Sequence, residues 1–354
     1  MRFYIVISFV VVVMLFVTGC KSQKTKFEFL TPNSGASLVS GQKVPLRMQF
    51  PDTTLDSIIY SIDGEVIERK NDTATVYLNT ESLGFGAKNL MAKAYKNGEE
   101  HVAYSSVTIL PDSPKQYTFK TIASYPHDVK AFTQGLQYEN GVLYESTGAP
   151  MQTDLVSSLR KVELETGKVL TKKEIVGKSP NEHDYFGEGL TIVNNKIVML
   201  FWLNEEGFVF DKNSFEQIGK FSYQNSKQGW GITYDGNRLL KTDSSNKLYF
   251  LDPETYEEKG FVAVYDNNGP VAELNELEYI NGRVYANVYS KDYIVIINPE
   301  TGVVEGQINL MGMHTHASQN DKELNGIAYN KDKNTLYVTG KQWDTLYEIE
   351  VVER

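Results

Sequence analysis

The sequence predicts an all-β protein in two parts, a small immunoglobulin-like β-sandwich followed by a five-bladed β-propeller. Three observations carry this. Helical periodicity is scarce, whereas short apolar or alternating runs bounded by Asn, Asp, Gly and Pro recur about every ten residues. A two-strand pattern repeats five times: GLQYENGVLYESTG from Gly135, GLTIVNNKIVMLFW from Gly189, GITYDGNRLLKTDS from Gly231, ELEYINGRVYANVY from Glu276 and GIAYNKDKNTLYVTG from Gly326. These starts lie 54, 42, 45 and 50 residues apart, close to the length of a four-stranded propeller blade.

The first twenty residues, MRFYIVISFVVVVMLFVTGC, combine an early Arg, an apolar run and small residues before Cys20, the only cysteine of the chain. They are expected to be an export signal, residues 1–20, and Val17-Thr18-Gly19-Cys20 resembles a bacterial lipobox in which the cysteine is lipidated after cleavage. A lone cysteine cannot form an intramolecular disulfide, so lipidation explains it better than structure does. Residues 21–25, KSQKT, then read as a polar tether, and the mature protein is expected on a bacterial membrane, facing away from the cytoplasm.

From 26 to 112 the runs FEFLTP, KVPLRMQF, SIIYSID, ATVYLNT, KNLMAKAY and AYSSVTIL predict six or seven strands, the pattern of a small sandwich. PDSPKQ, 111–116, reads as a linker, and 116–354 holds the repeat. After most copies a second strand pair follows around a turn, as in SSLRKVELETGKVL, KLYFLDPETYEEKGF and IVIINPETGVVEGQI. The last copy ends at Arg354 after three strands, while YTFKTIASY, 117–125, is a strand left over in front of the first. Pairing these two closes the ring and removes exposed edges.

The repeat also places side chains. The residue before each Gly-Leu-like pair is Gln134, Glu188, Trp230, Asn275 or Asn325, and the end of each second strand is Gly148, Trp202, Ser244, Tyr289 or Lys341. Antiparallel pairing sets the start of one strand beside the end of the next, so both rings border one mouth of the central channel. Phe132 and Phe186, two residues before Gln134 and Glu188, add apolar walls. One carboxylate, several amides and one ammonium among aromatic rings fit the general recipe for a small-ligand site.

At this point the motifs FTQGL (132–136), SSLRKVELETGKV (157–169), FGEGL (186–190), QGWGIT (228–233), NELEY (275–279), LNGIAY and TGKQW (324–343) together resemble the plant-type glutaminyl-peptide cyclotransferases, or glutamine cyclotransferases. The likeness covers about 120–350 and excludes the sandwich. It implies a five-bladed propeller that closes the N-terminal Gln of peptides or proteins to pyroglutamate with release of ammonia, without metal or cofactor. It implies Glu188 as acid and base, with Gln134, Asn275 and Lys341 around the reacting amide. Phe132, Phe186, Trp202 and Trp230 are implied as pocket walls; Tyr289 and Asn325 join the substrate-binding residues from their places in the two rings. One departure is ANVYS, 286–290, where the plant-like pattern has a tryptophan and this chain has Tyr289, a change that bears on affinity.

Other classes are weaker. With 35 Lys+Arg against 45 Asp+Glu the formal net charge is -10, which disfavours nucleic acid as a partner. His314 and His316, in MGMHTHASQ, read as a solvent-exposed pair between blades. DPET, 252–255, and NPETG, 298–302, suit turns better than calcium loops. A lactonase-type propeller would need more inner carboxylates than Glu188 alone. The alternative that stays open is a non-enzymatic propeller lipoprotein binding peptide or glycan ends, since fold by itself does not choose.

Overall fold

In the computed structural model of the chain the described residues are 26–50, 54–314 and 322–354. The export signal, Cys20 and the tether lie outside them. Among the described residues every regular element is a strand except a short 3-10 turn at Glu81–Leu83.

The chain divides into two compact units. One gathers the described residues up to Ala36 with those of Lys43–Leu78 and Lys88–Val107; the other is Ser37–Gln42, Asn79–Ala87 and the described residues of Thr108–Arg354. The region before 112 forms a three-stranded sheet, Glu28–Thr31, Lys43–Gln49 and Val76–Asn79, in which Lys43–Gln49 is central. It also forms a five-stranded sheet in the order Ala36–Val39, Glu99–Leu110, Gly86–Lys96, Ser57–Ile62, Glu65–Lys70. That is eight strands where six or seven were expected. One addition, Glu65–Lys70, is a polar, exposed edge strand whose apolar signal is weak. The hairpin is made by Asp63-Gly64, both at positive φ as a tight turn demands.

The larger unit repeats one device. Thr133–Glu139, Val142–Thr147, Ser158–Glu163 and Val169–Glu174 form an antiparallel sheet in sequence order, and so do Gly187–Val193, Lys196–Phe201, Glu206–Asp211 and Gln217–Ser222. A third sheet is Ile232–Tyr234, Leu239–Lys241, Lys247–Leu251 and Glu258–Ala263. Apart from a two-stranded hairpin of Tyr265–Asp266 and Gly269–Pro270, the remaining strands make one eight-stranded sheet: Leu274–Ile280, Arg283–Val288, Tyr293–Ile297 and Val304–Asn309, then Lys115–Pro126, Thr345–Glu353, Thr335–Gly340 and Leu324–Asn330. Its two halves meet where Gly306 to Ile308 run parallel to Lys115 to Tyr117. The N-terminal strand lies antiparallel to the C-terminal one from Thr345 opposite Pro126 to Glu353 opposite Tyr117, so the expected pairing is present.

The first strand of each four-stranded group touches the first strand of the next, and the cycle closes from Leu324–Asn330 back to Thr133–Glu139. Side chains stitch these inner strands where backbone ladders cannot: Gln137 Oε1 accepts from Ile192 N at 2.7 Å, Thr233 Oγ1 from Tyr279 N at 3.0 Å and Glu278 Oε1 from Tyr329 N at 3.0 Å. The glycines of the repeat serve the same crowding. A Cβ on Gly189 would stand 2.6 Å from Trp230 O, a contact that backbone cannot yield to.

Between successive sheets the apolar faces interlock, for example Tyr144 and Leu159 of one against Met199, Phe201 and Phe210 of the next. Each such fully buried side chain contributes about 1.5–3 kcal/mol. DPET and NPETG are turns: Asp252 Oδ1 accepts from Glu254 N and Thr255 N, and Asn298 Oδ1 from Glu300 N. His314 departs from its expected exposure. It is buried, stacked 4.3 Å from the Trp343 ring, with Nδ1 3.0 Å from the Tyr347 hydroxyl, because its ring has an apolar face and a polar edge that this niche satisfies together. His316 lies outside the described residues.

Candidate active site

The repeat positions become a site through backbone irregularity. In four of the five groups the pairing of first and second strands shifts register: between Thr133 and Gly135, Gly187 and Leu190, Leu274 and Leu277, and Leu324 and Ile327. Gln134, Glu188, Asn275 and Asn325 all fall within these shifts. A bulge frees a residue from strict alternation and re-aims its side chain, which is how polar groups enter an otherwise apolar layer. Trp230 occupies the fifth position just ahead of Ile232–Tyr234, its N–H bonded to Thr242 O at 3.1 Å.

Phe132, Gln134, Phe186, Glu188, Trp202, Trp230, Asn275, Tyr289 and Lys341 line one pocket of about 300 Å³, joined by Pro150 and Met151. Nine of the ten expected pocket residues therefore meet. The tenth, Asn325, does not line the pocket, contrary to its expected contact with substrate. It is fully buried one layer back, donating from Nδ2 to Thr133 O at 3.0 Å and to Gln134 Oε1 at 2.9 Å. A fixed donor to Oε1 turns the Gln134 amide so that its NH₂ faces the pocket carboxyl, and Nε2 donates to Glu188 Oε1 at 3.3 Å. Glu188 Oε2 accepts from none of the described residues. Asn275 lines the pocket wall, and its Oδ1 also has no partner among them.

Aromatic rings stand edge to face around this core: Phe132 to Phe186 at 6.0 Å, Phe186 to Trp202 at 5.7 Å and Trp230 to Tyr289 at 5.8 Å. Gly148 in the second ring has a steric duty, since a Cβ there would collide with the Phe186 ring. The Lys341 ammonium lies over the Phe132 ring at 5.0 Å and the Tyr289 ring at 4.8 Å, a cation held by two π faces. Burial pushes the Glu188 carboxyl well above the usual carboxylate range, and Lys341 opposes this without reversing it.

Three further residues matter that sequence reading passed over. Glu323 Oε2 lies 3.5 Å from the Lys341 ammonium and its carbonyl accepts from Lys341 N at 3.0 Å, balancing the lysine from behind. Gln228 Oε1 accepts from both indoles, Trp202 Nε1 and Trp230 Nε1, each at 2.8 Å, which ties two walls together. Lys241, fully buried, donates to Gln228 O at 2.7 Å and Ser226 Oγ at 2.6 Å and so anchors that segment; burial lowers it to about 8 despite Glu258 nearby. Gln228 was visible in QGWGIT, but it belongs to neither repeated ring, so no periodicity marked it.

The sequence model of the glutamine cyclotransferase family matches residues 90–351. The glutaminyl-peptide cyclotransferase of Arabidopsis thaliana is 40% identical to this chain over 252 residues, 70% of this chain and 75% of that protein. The crystal structure of Myxococcus xanthus glutaminyl cyclase superposes with a TM-score of 0.61 at 29% identity, covering 68% of this chain and 100% of that one.

Proposed function

The chain belongs to the glutamine cyclotransferase family, and from that premise we propose that it converts the N-terminal Gln of peptides or proteins to pyroglutamate, with Glu188 as acid and base and without a metal ion. The α-amine attacks the γ-amide carbon of its own side chain, the ring C–N bond forms, and the amide nitrogen leaves as ammonia. No water is consumed. The nucleophile is already tethered, so holding the side chain curled in a narrow aromatic pocket supplies much of the acceleration through orientation.

The observation that carries this reading is a buried carboxyl whose Oε1 is engaged by Gln134 and whose Oε2 is left to the pocket. An attacking amine has to be neutral, and an N-terminal amine ordinarily titrates at about 7.7–8.0. A carboxyl pushed upward by burial moves toward that range, so a proton passes between amine, carboxyl and leaving nitrogen at small cost. Asn275, the Gln134 amide and the Lys341 ammonium are the groups available to stabilise the oxyanion of the tetrahedral intermediate. One carboxyl beside one ammonium is a poor donor set for a divalent cation, which supports a metal-free route.

For architecture, we read the five four-stranded groups as blades of a five-bladed β-propeller over 116–354, closed by the pairing of the N- and C-terminal strands. The sheets of 26–112 are read as an immunoglobulin-like sandwich. The motif at Val17–Cys20 supports an exported lipoprotein anchored through Cys20.

The test is ammonia release from a short N-terminal-Gln peptide in excess chelator, with Glu188→Gln alongside. Chelator-resistant turnover abolished by the substitution is expected. A folded protein that binds the peptide without turning it over would leave a recognition site and sink the enzyme reading.

A further inference from the structure

Pyroglutamate formation consumes only the first residue, and a pocket of about 300 Å³ is matched to one side chain. Beside it lies a second hollow of about 510 Å³, which a single glutamine has no means of filling. The two adjoin: Pro150, Met151, Phe186 and Trp202 line both. Beyond these shared residues the second hollow has an apolar lining of Leu155, Val156, Ile175, Val176 and Tyr185. Met151 at 90% exposure and Val176 at 73% leave large apolar surface in solvent at its border, the mark of a surface awaiting an occupant. Its charged lining residues are Glu182 and Asp184, with no Lys or Arg, and neither carboxylate is in an ion pair among the described residues.

We propose that this groove seats the residues directly following the N-terminal glutamine, and that it favours apolar or cationic side chains there and disfavours acidic ones. The proposal rests on the cyclotransferase reading of the adjoining pocket. The chain leaves the reacting residue through its α-carbonyl, which the ring closure does not touch, so the peptide continues past the shared wall of Phe186 and Trp202. Apolar residues bury against Val176 and Leu155, and a Lys or Arg meets the two carboxylates. An acidic residue meets like charge.

The experiment compares glutamine amide with the amidated peptides Gln-Leu-Ala, Gln-Lys-Ala and Gln-Glu-Ala on the full protein, by ammonia release. Relative to glutamine amide, kcat/KM is expected to rise about tenfold for the Leu and Lys peptides, chiefly through KM, and to stay near its starting value for the Glu peptide. Val176→Asp should erase the advantage of the Leu peptide while glutamine amide is processed as before. The double change Glu182→Lys with Asp184→Lys should reverse the order of the Lys and Glu peptides. Turnover of all four substrates within about twofold of each other, or variants that slow glutamine amide as much as the peptides, overturns the groove and leaves the enzyme reading intact. If no substrate is turned over, the enzyme reading fails, and calorimetric titration with the same compounds decides the groove. Tighter binding of the Leu and Lys peptides sustains it, and equal affinities overturn it.

Discussion

Glu188 at the pocket and Glu276 deeper between the inner strands are two buried carboxyls, both in register shifts of the repeat and both pushed well above the usual carboxylate range, chiefly by burial. Their surroundings separate them. Glu276 Oε1 accepts from Leu136 N at 3.3 Å and Oε2 from Ile327 N at 2.8 Å, so both oxygens hold backbone of two other inner strands. Glu188 gives one oxygen to a side-chain amide and keeps the other for the pocket. Burial and a raised pKa therefore do not by themselves mark a proton carrier. What sets Glu188 apart is an oxygen left facing a substrate-sized space.

Glu188→Gln keeps the shape and the contact with Gln134 but removes the exchangeable proton, so kcat is expected to fall about 10²–10⁴-fold with the melting temperature retained. Glu276→Gln should do the opposite, lowering the denaturation midpoint by setting an NH₂ against one of two buried backbone N–H groups while the folded fraction keeps most of its activity. A loss of kcat in that variant matching the loss in Glu188→Gln would erase the distinction between the two carboxyls. Lys341→Met keeps the stem and removes the ammonium, and is expected to cost about 10²-fold in kcat/KM if it stabilises developing negative charge.

Gln228→Met should act more mildly. It leaves two indole N–H groups without their shared acceptor and loosens the aromatic wall, so KM is expected to rise about tenfold with kcat little changed. The smallest effect is on stability against pH. Glu278 is raised to about 8 by burial, against a bonded Tyr329 N–H, so it holds its proton more tightly folded than unfolded. Stability present below its ordinary value of 4.5 is then lost as pH rises to about 8. Denaturant titrations of Glu278→Gln should gain on the parent protein across that window and run parallel to it above. A gap that does not change with pH would remove the carboxyl as its cause.

Much of this was legible in the chain. The period-2 runs and the fivefold repeat are local properties, and side-chain alternation converts them into strands and aligned positions without any knowledge of partners. FGEGL announced a charge at an inner-strand start, and the same reading aligned Gln134, Trp230 and Asn275 with it and set Trp202 and Lys341 in the neighbouring ring. Asn325 was aligned with them and yet stands behind the pocket lining, since alignment fixes a place on the strand and not how far a side chain stands from the opening. His314 misled for a similar reason. A loop histidine looks solvated until Trp343, far along in the sequence, offers it a ring to lie on.

By itself the sequence determined most of the strands, their fivefold grouping in the larger unit, the closure between its first and last strands, and the residue types gathered at one pocket, because each follows from periodicity over short stretches of chain. Only the tertiary structure decided which amides bond to Glu188 and which stand behind, that Gln228 joins two indoles, that Glu323 backs Lys341, and that a groove opens beside the pocket. Those depend on distances between residues remote in sequence, and such distances are set by packing of the whole sheet assembly, where a register shift of one residue turns a side chain from the core to the pocket.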